Sequence, residues 1–297
     1  MLDTAVAHYA RQARITALGL IAARRARELG NADRLLAVVL GVQLAAAMEA
    51  VDAVPAMLAE QGIAAEPAAR VDPAALVGVA SDGRDLASLL VLAETAAQFD
   101  RIVETQLQDV ARNAASVAIA ARPQVTGYVR MINPGACSRC VVQAGKWFRW
   151  NEGFQRHPQC GCRHVPAREN TASDMTTDPA AYFDSLSEAE QDRAFTKAGA
   201  QAIRDGADMG RVVNARAGMS TAQVPVRGRG DRWSATGRLS TQDVYGQRLA
   251  TTTEATSARG VPGRAGMVRL MPESIYRIAT DRDDAIRLLT VHGYVRD

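Results

Sequence analysis

Cysteine is almost absent from this 297-residue chain. The four present are Cys137, Cys140, Cys160 and Cys162, and none lies elsewhere. A disulfide framework spread along the chain, as in small secreted domains, is therefore not expected. The opening MLDTAVAHYARQ has no basic run followed by an apolar one, so a reducing compartment is expected for these thiols. Lysine is scarcer still: Lys146 and Lys197 are the only two, and every other basic side chain is arginine. With abundant alanine, this is the bias of GC-rich coding, and it argues against reading each arginine cluster as a nucleic-acid site. Neither sign of charge dominates, with 35 basic and 32 acidic side chains and a formal net charge of +3, so no polyanionic partner is obligatory. Aromatic residues make up only 5%. The longest apolar run, Leu35 to Met48, is broken by Gln43 and falls short of the ~18 residues of a membrane span, so it reads as a buried helix. His-Glu-x-x-His, His-x-Glu…Cys-x-x-Cys and Gly-x-Ser-x-Gly are all missing, and with them the metalloprotease, deaminase and α/β-hydrolase signatures.

What is present is concentrated between Met131 and Pro166, which also holds His157 and His164. Cys137-Ser-Arg-Cys140 follows the turn-forming Asn133-Pro134-Gly135, and a Cys-x2-Cys turn supplies two ligands of a tetrahedral zinc. A second cluster, His157-Pro-Gln-Cys160-Gly-Cys162-Arg-His164, follows at a spacing typical of zinc modules. It offers more donors than the two remaining places. Cys137, Cys140 and Cys160 are expected ligands, and the fourth place stays open between Cys162 and His157. His164 is expected to be a solvent-exposed or capping histidine. Between the clusters, residues 141–150 are β-prone, with Gly145 at a hairpin turn. A thiolate-rich set is electron-rich and closed, which suits structural Zn2+ rather than catalysis.

This pattern, Gly-Ala-Cys137-Ser-Arg-Cys140…Ala-Gly-Lys…His157-Pro-Gln-Cys160-Gly-Cys162-Arg-His164-Val-Pro, resembles the Mu protein F-like (MuF) family of phage minor head proteins, in the form found in tailed phages of actinobacteria. The resemblance covers about 36 residues, and Met271-Pro-Glu-Ser-Ile-Tyr with His292-Gly-Tyr adds to it. It implies a virion protein inside the capsid near the portal, present in the host cytoplasm during assembly. Its partners would be the portal protein, the major capsid protein or both, with non-specific contact to packaged DNA and no membrane. Its role would lie in head assembly and in DNA packaging or ejection. Two enzymatic alternatives stand beside this non-enzymatic reading. A capsid maturation protease needs a Ser or Cys nucleophile with a histidine base. A treble-clef-like nuclease would use His157 or His164.

Around the motif the chain reads as mainly α, an α+β arrangement with long N-terminal helices, a small zinc-stapled β-hairpin module and short C-terminal helices. The expected divisions are a helical bundle or arm over 1–123, the zinc module with following helices over 124–215, and a loop-rich and helical region over 216–297. Helices are expected at 3–29, capped by Asp3, and from Asn31 or Asp33 to about Gln61. A single long helix is expected from Asp85 to Ala121, with apolar residues at three- and four-residue steps. Ala5, Leu18, Leu20, Ile21 and Leu29 are the apolar residues of the first, alternating with the basic run Arg24-Arg25-Ala-Arg27. Further helices are expected from Asp178-Pro179 to Phe183, over Ser187-Glu-Ala-Glu190 onward with Ser185 or Ser187 as cap, over 200–211 or beyond, from Met271-Pro272, and over 284–292 with Asp281 or Asp283 as cap and Gly293 at its end. His292 would then sit at a helix C-terminus, favoured there by the dipole. Residues 217–238 form a basic loop, read as solvated rather than DNA-binding. Residues 240–260 are expected to be mostly helical or irregular.

Overall fold

A computed structural model describes residues 2–80, 83–132, 135–153, 157–168, 178–216, 219–223, 248–252 and 269–295. The basic loop's Arg227 to Arg238 and the polar connection 169–177 lie outside the described residues. The chain divides into two compact units, one of residues 1–136 and 143–182, the other of residues 183–297 with the short segment 137–142. The whole is mainly helical, with small antiparallel sheets, as an α+β reading expects.

In the first unit, α1 (Asp3–Glu28) and α2 (Ala32–Glu60) form a helical hairpin, joined by Gly30 at φ +67° and capped by Asn31, whose side chain accepts from Arg34 N. Asp3 does not cap α1. It lies in the first turn, and the backbone N–H groups of Asp3 and Thr4 donate to the Glu60 carboxylate at 2.8 and 2.9 Å, placing a negative charge at the helix N-terminus. Of the expected apolar residues of α1, Ala5 is buried but most of the others are not. Leu18, Ile21 and Leu29 are exposed, and the buried stripe is Ala5, His8, Gln12, Thr16, Gly19, Ala23 and Ala26. Polar residues can face inward because each finds a partner. His8 Nδ1 lies 2.6 Å from Glu49, while Gln12 donates to Ala46 O and to Glu49, both at 2.7 Å. Burial of Glu49 favours its neutral form, but hydrogen bonds from His8, Arg11 and Gln12 outweigh that and hold its carboxyl below the usual range. Gly19 leaves room for Val42 of α2, since a Cβ there would fall 2.4 Å from Val42 Cγ1.

The expected single helix from Asp85 to Ala121 is two helices, α3 (Leu86–Val91) and α4 (Ala96–Ala120). The break is chemical. Thr95 accepts from Gln98 N, and Gln98 Oε1 accepts from Thr95 N, which forms a capping box that starts α4 afresh. α2 is long and apolar enough to cross a bilayer by length and composition. Here it packs against α1 and α4 through Ala46, Ala47, Ala50, Val54 and Met57. That core continues past residue 123 into the sheet, taking in Tyr128, Met131 and Val165.

The sheet has the order β2-β1-β3, with β1 (Gly127–Met131) central, β2 (Trp147–Arg149) and β3 (Arg163–Ala167) antiparallel to it. The expected local hairpin within 141–150 does not form. Residues Ser138–Val141 are a helical turn, α5, and β2 pairs instead with β1, Gly127 opposite Arg149. Gly145, at φ +71°, donates to Arg130 O and returns the chain to that edge. Gly127 is sterically required, since a Cβ would lie 2.1 Å from Phe148 O and 2.6 Å from the Trp147 ring. Gly127→Ala is expected to cost about 3 kcal/mol through overpacking, read as a lower urea midpoint at unchanged slope. An unaltered midpoint would show that the β1–β2 contact is not needed.

In the second unit, α6 (Pro179–Ser185) leads to α7 (Glu188–Phe195), whose Ser187–Glu190 capping box matches expectation. Phe183 and Phe195 meet edge to face at 5.3 Å. The expected helix over 200–211 is divided into α8 (Lys197–Arg204) and α9 (Met209–Ala215), because Gly206 at φ +94° turns the chain and Asp208 caps anew. Where mostly helical or irregular chain was expected over 240–260, Arg248–Thr252 is a strand, β5, between β4 (Met219–Gln223) and β6 (Arg269–Leu270). The threonine run that lowers helix propensity favours strand for the same reason, its branched Cβ. α10 (Pro272–Ile278) and α11 (Arg282–Val291), the latter capped by Asp281, close the unit. Asp205 ties three of these helices together: it accepts from Tyr276 Oη at 2.6 Å, Arg282 Nε at 3.0 Å and Gln201 Nε2 at 3.2 Å.

His292 closes the C-terminus of α11, as expected, but without the charge that the dipole would favour. It is buried, its Nδ1 accepts from Leu270 N at 3.3 Å, and burial followed by the nearby Arg269 lowers its pKa to about 4. The unfolded chain therefore takes up this proton near pH 6.5 and the folded chain only near pH 4. Stability from this group is complete above about pH 6.5 and is lost as pH falls toward 4, by about 3 kcal/mol. Urea denaturation at pH 7.5 and pH 5 should show this slope, and His292→Gln should flatten it. An equally steep slope in the variant would assign the loss to other groups.

Candidate metal centre

Three local structures bring the cysteines into position. The turn at Cys137 closes by Cys140 N and Val141 N donating to Cys137 O at 2.9 and 3.0 Å. It places the Cys137 and Cys140 sulfurs 3.5 Å apart, far beyond an S–S bond of about 2.05 Å. The second turn, His157 to Cys160, closes by Cys160 N donating to His157 O at 3.2 Å, with Gln159 in the left-handed region at φ 61°. That unusual conformation for a non-glycine is held from α4: Gln159 N donates to Thr105 Oγ1 at 3.0 Å and its amide to Glu104 at 2.7 Å. Cys162 directly precedes β3, so the sheet register fixes it.

Five donors result, in two groups that share Cys140. Cys137, Cys140 and His157 present ligand atoms within 4.8 Å of one another, and so do Cys140, Cys160 and Cys162. Either group can hold a metal ion. Cys140, Cys160 and Cys162 are buried, and no disulfide joins the four cysteines. All five expected donors are thus drawn together. His157 is half-buried, and its Nδ1 contacts Pro158 O at 2.8 Å. That contact leaves Nε2 as the nitrogen suited to a metal.

His164 departs from expectation. It is buried rather than exposed, stacks on Tyr128 at 4.1 Å between ring centroids, and its Nδ1 meets Ser116 Oγ at 2.9 Å. It braces β3 against β1 and α4 and belongs to neither donor group.

The side chains behind the sulfurs were not legible as site residues. Arg130, on β1, reaches Cys162 Sγ at 3.5 Å and Cys160 Sγ at 3.9 Å, and donates to Gln143 at 2.5 Å. Arg112, on α4, donates to Cys160 O, and at 3.3 Å to Cys162 O, while pairing with Asp109. Arg163, on β3, donates to Gln108. All three guanidiniums are at least 98% buried. Burial, then the neighbouring Arg112, pulls Arg163 down to about 10, so it remains a cation at neutral pH. One signal could have found the α4 set. Glu104, Thr105, Gln108, Asp109, Arg112 and Ser116 recur at three- and four-residue steps, a polar stripe beside the apolar one.

This arrangement is chemically suited to a soft or borderline cation. Thiolates on short turns supply the charge, and buried arginines make an anionic centre favourable. Structural zinc is closed by four such donors, while a catalytic ion needs a vacant coordination position. No protein-family model, curated protein or solved structure matches this chain.

Proposed function

We propose that this chain is a MuF-like minor capsid protein, portal-proximal inside a phage head, in which Zn2+ is a structural staple. The observation that carries the reading is the convergence of Cys140, Cys160 and Cys162 on one buried point from the two halves of the Cys-x2-Cys…His-Pro-Gln-Cys-Gly-Cys pattern. A motif on which a family resemblance rests gains weight when its separated parts meet in space. The ion would be held by four of Cys137, Cys140, His157, Cys160 and Cys162. Its work would be to fix two short turns against a three-stranded sheet that buries little surface of its own. Portal and major capsid subunits are the partners, with packaged DNA touched non-specifically if at all.

The test is co-expression with portal and major capsid subunits of a tailed actinobacteriophage, followed by sedimentation. The chain should co-sediment with assembled heads and should also be retained by isolated portal rings. Recovery only in the soluble fraction would sink the virion reading while leaving the metal centre standing.

One observation favours a maturation protease as the second reading: Ser116 Oγ lies 2.9 Å from His164 Nδ1, a nucleophile-to-base distance. The contact uses Nδ1, the nitrogen that faces the orienting acid in a serine triad, and His164 lies under Tyr128. Incubation with the major capsid subunit decides: cleavage that disappears in Ser116→Ala would establish the protease.

A further inference from the structure

The outward side of α1 is more apolar than its buried side. Inward stand His8, Gln12, Thr16 and Gly19, whereas Leu18, Ile21 and Leu29 are 56%, 60% and 57% exposed, with Ala10, Ala17 and Ala22 exposed around them. At 3.6 residues per turn these apolar side chains share one face, opposite the stripe buried against α2 and α4. Single exposed apolar residues are ordinary, but a contiguous row marks an interaction surface. The charges on α1 divide in the same way. Arg11 pairs with Glu49, Arg24 pairs with Asp100, and Arg27 donates to Ala93 O at 2.8 Å. Arg14, Arg25 and Glu28, which lie along the apolar row, are exposed, and their side chains make no hydrogen bond or ion pair among the described residues.

The order of these groups is self-complementary. Arg14 lies one heptad before Ile21 and Glu28 one heptad after it, so basic, apolar and acidic side chains follow on one face, each about 10.5 Å from the next. A second α1 laid antiparallel about a two-fold axis at Ile21 brings Ile21 against Ile21, and Arg14 against Glu28 of the second copy, twice. Ala17 then meets Arg25 of the second copy, whose methylene stem can lie along so small a side chain. A parallel pair would set Arg14 against Arg14 and Glu28 against Glu28, and like charges oppose it. An acidic partner helix would satisfy the arginines but leave Glu28 facing its own sign. We propose that α1 is a self-association surface, through which two copies of this chain pair antiparallel about Ile21, with the Arg14–Glu28 pairs fixing direction and register. One helix per copy makes a small contact, so the dimer is of the weak, concentration-dependent kind. The pairing needs neither the metal nor the virion reading.

Sedimentation equilibrium of the full chain under reducing conditions tests the pairing. Wild type should pass from monomer to dimer with a midpoint of roughly 10–100 μM, the range of small interfaces. Ile21→Arg should stay monomeric throughout, and because Ile21 is exposed the variant should still fold. Arg14→Glu and Glu28→Arg should each weaken association by about 10-fold, since each turns two attractions into two repulsions. The two changes in one chain restore opposite charges across the axis and should return the wild-type midpoint. Wild type that remains monomeric up to about 1 mM would overturn the proposal. So would an Ile21→Arg variant that still dimerises, or a double variant that associates no better than its single parents. Should Ile21→Arg fail to fold, the charge exchange decides by itself.

Discussion

Metal removal, or Cys160→Ser, is expected to lower the melting temperature by roughly 10–20 °C, the shift that a loss of about 5 kcal/mol produces in a unit of this size. The physical reason is where the ligand sits. Cys160 is buried, its carbonyl accepts from Arg112 on α4, and its sulfur faces Arg130 on β1. Loosening it frees the turn that Gln159 holds against Thr105 and Glu104, and with it the entry to β3. Structural zinc contributes roughly 10–16 kcal/mol in small modules that have no other core. Here the α1–α2–α4 core is independent of the ion, so the loss should be partial rather than total. Thermal melts by circular dichroism, with chelator and then with Zn2+ restored, test this. Identical melts in all three conditions would remove the staple from the account.

Arg112→Met is expected to be nearly as damaging, at about 3–5 kcal/mol, because it strips the partner from a buried carboxylate. Arg112 is 1% exposed and connects Asp109 with the Cys160 and Cys162 carbonyls. The loss therefore has two parts. Asp109 loses its guanidinium partner in a buried setting, and the two carbonyls lose this donor. The double change Asp109→Leu with Arg112→Met should recover the first part and not the second, so its cost should fall below that of Arg112→Met alone. Urea denaturation of the four proteins in the cycle measures the coupling. Strict additivity would show that the ion pair is not a unit.

The helices were readable wherever a cap or a glycine accompanied the periodicity. Asn31, Ser187, Asp281 and Gly293 fall where the residue types indicate. Periodicity without attention to caps misled at Thr95, where apolar spacing runs through a capping box and the chain starts a new helix. Nor does it tell which face of α1 is inside. Leu18 and Ile21 are larger and more apolar than His8, Gln12 and Thr16, yet the polar set is inside. Their partners, Glu49, the Ala46 carbonyl and Gln108, come from other helices, so no local rule could reveal them. The charge of His292 and the setting of His164 escaped for the same reason: burial is a property of the packed chain, and it alone decides whether a histidine is charged, stacked or exposed.

The strands show the same division. Residues 141–150 carry a β signal, but the partner of β2 is β1, a strand that lies before the first cysteine pair. Pairing register depends on which edge is vacant, and that is a tertiary fact.

By itself, the sequence determined the donor inventory: four thiols and a histidine on two short turns, in a chain otherwise without cysteine. Turn chemistry and ligand chemistry are local, and local chemistry is written in residue order. What only the tertiary structure decided is the company those donors keep. Arg112, Arg130 and Arg163 come from a helix and two strands, and arginine is the default basic residue of the whole chain. Nothing in their types distinguishes them from solvated neighbours. They join the site because packing removes them from water beside the cysteines, where a guanidinium must be paired or hydrogen-bonded or else destabilise the fold.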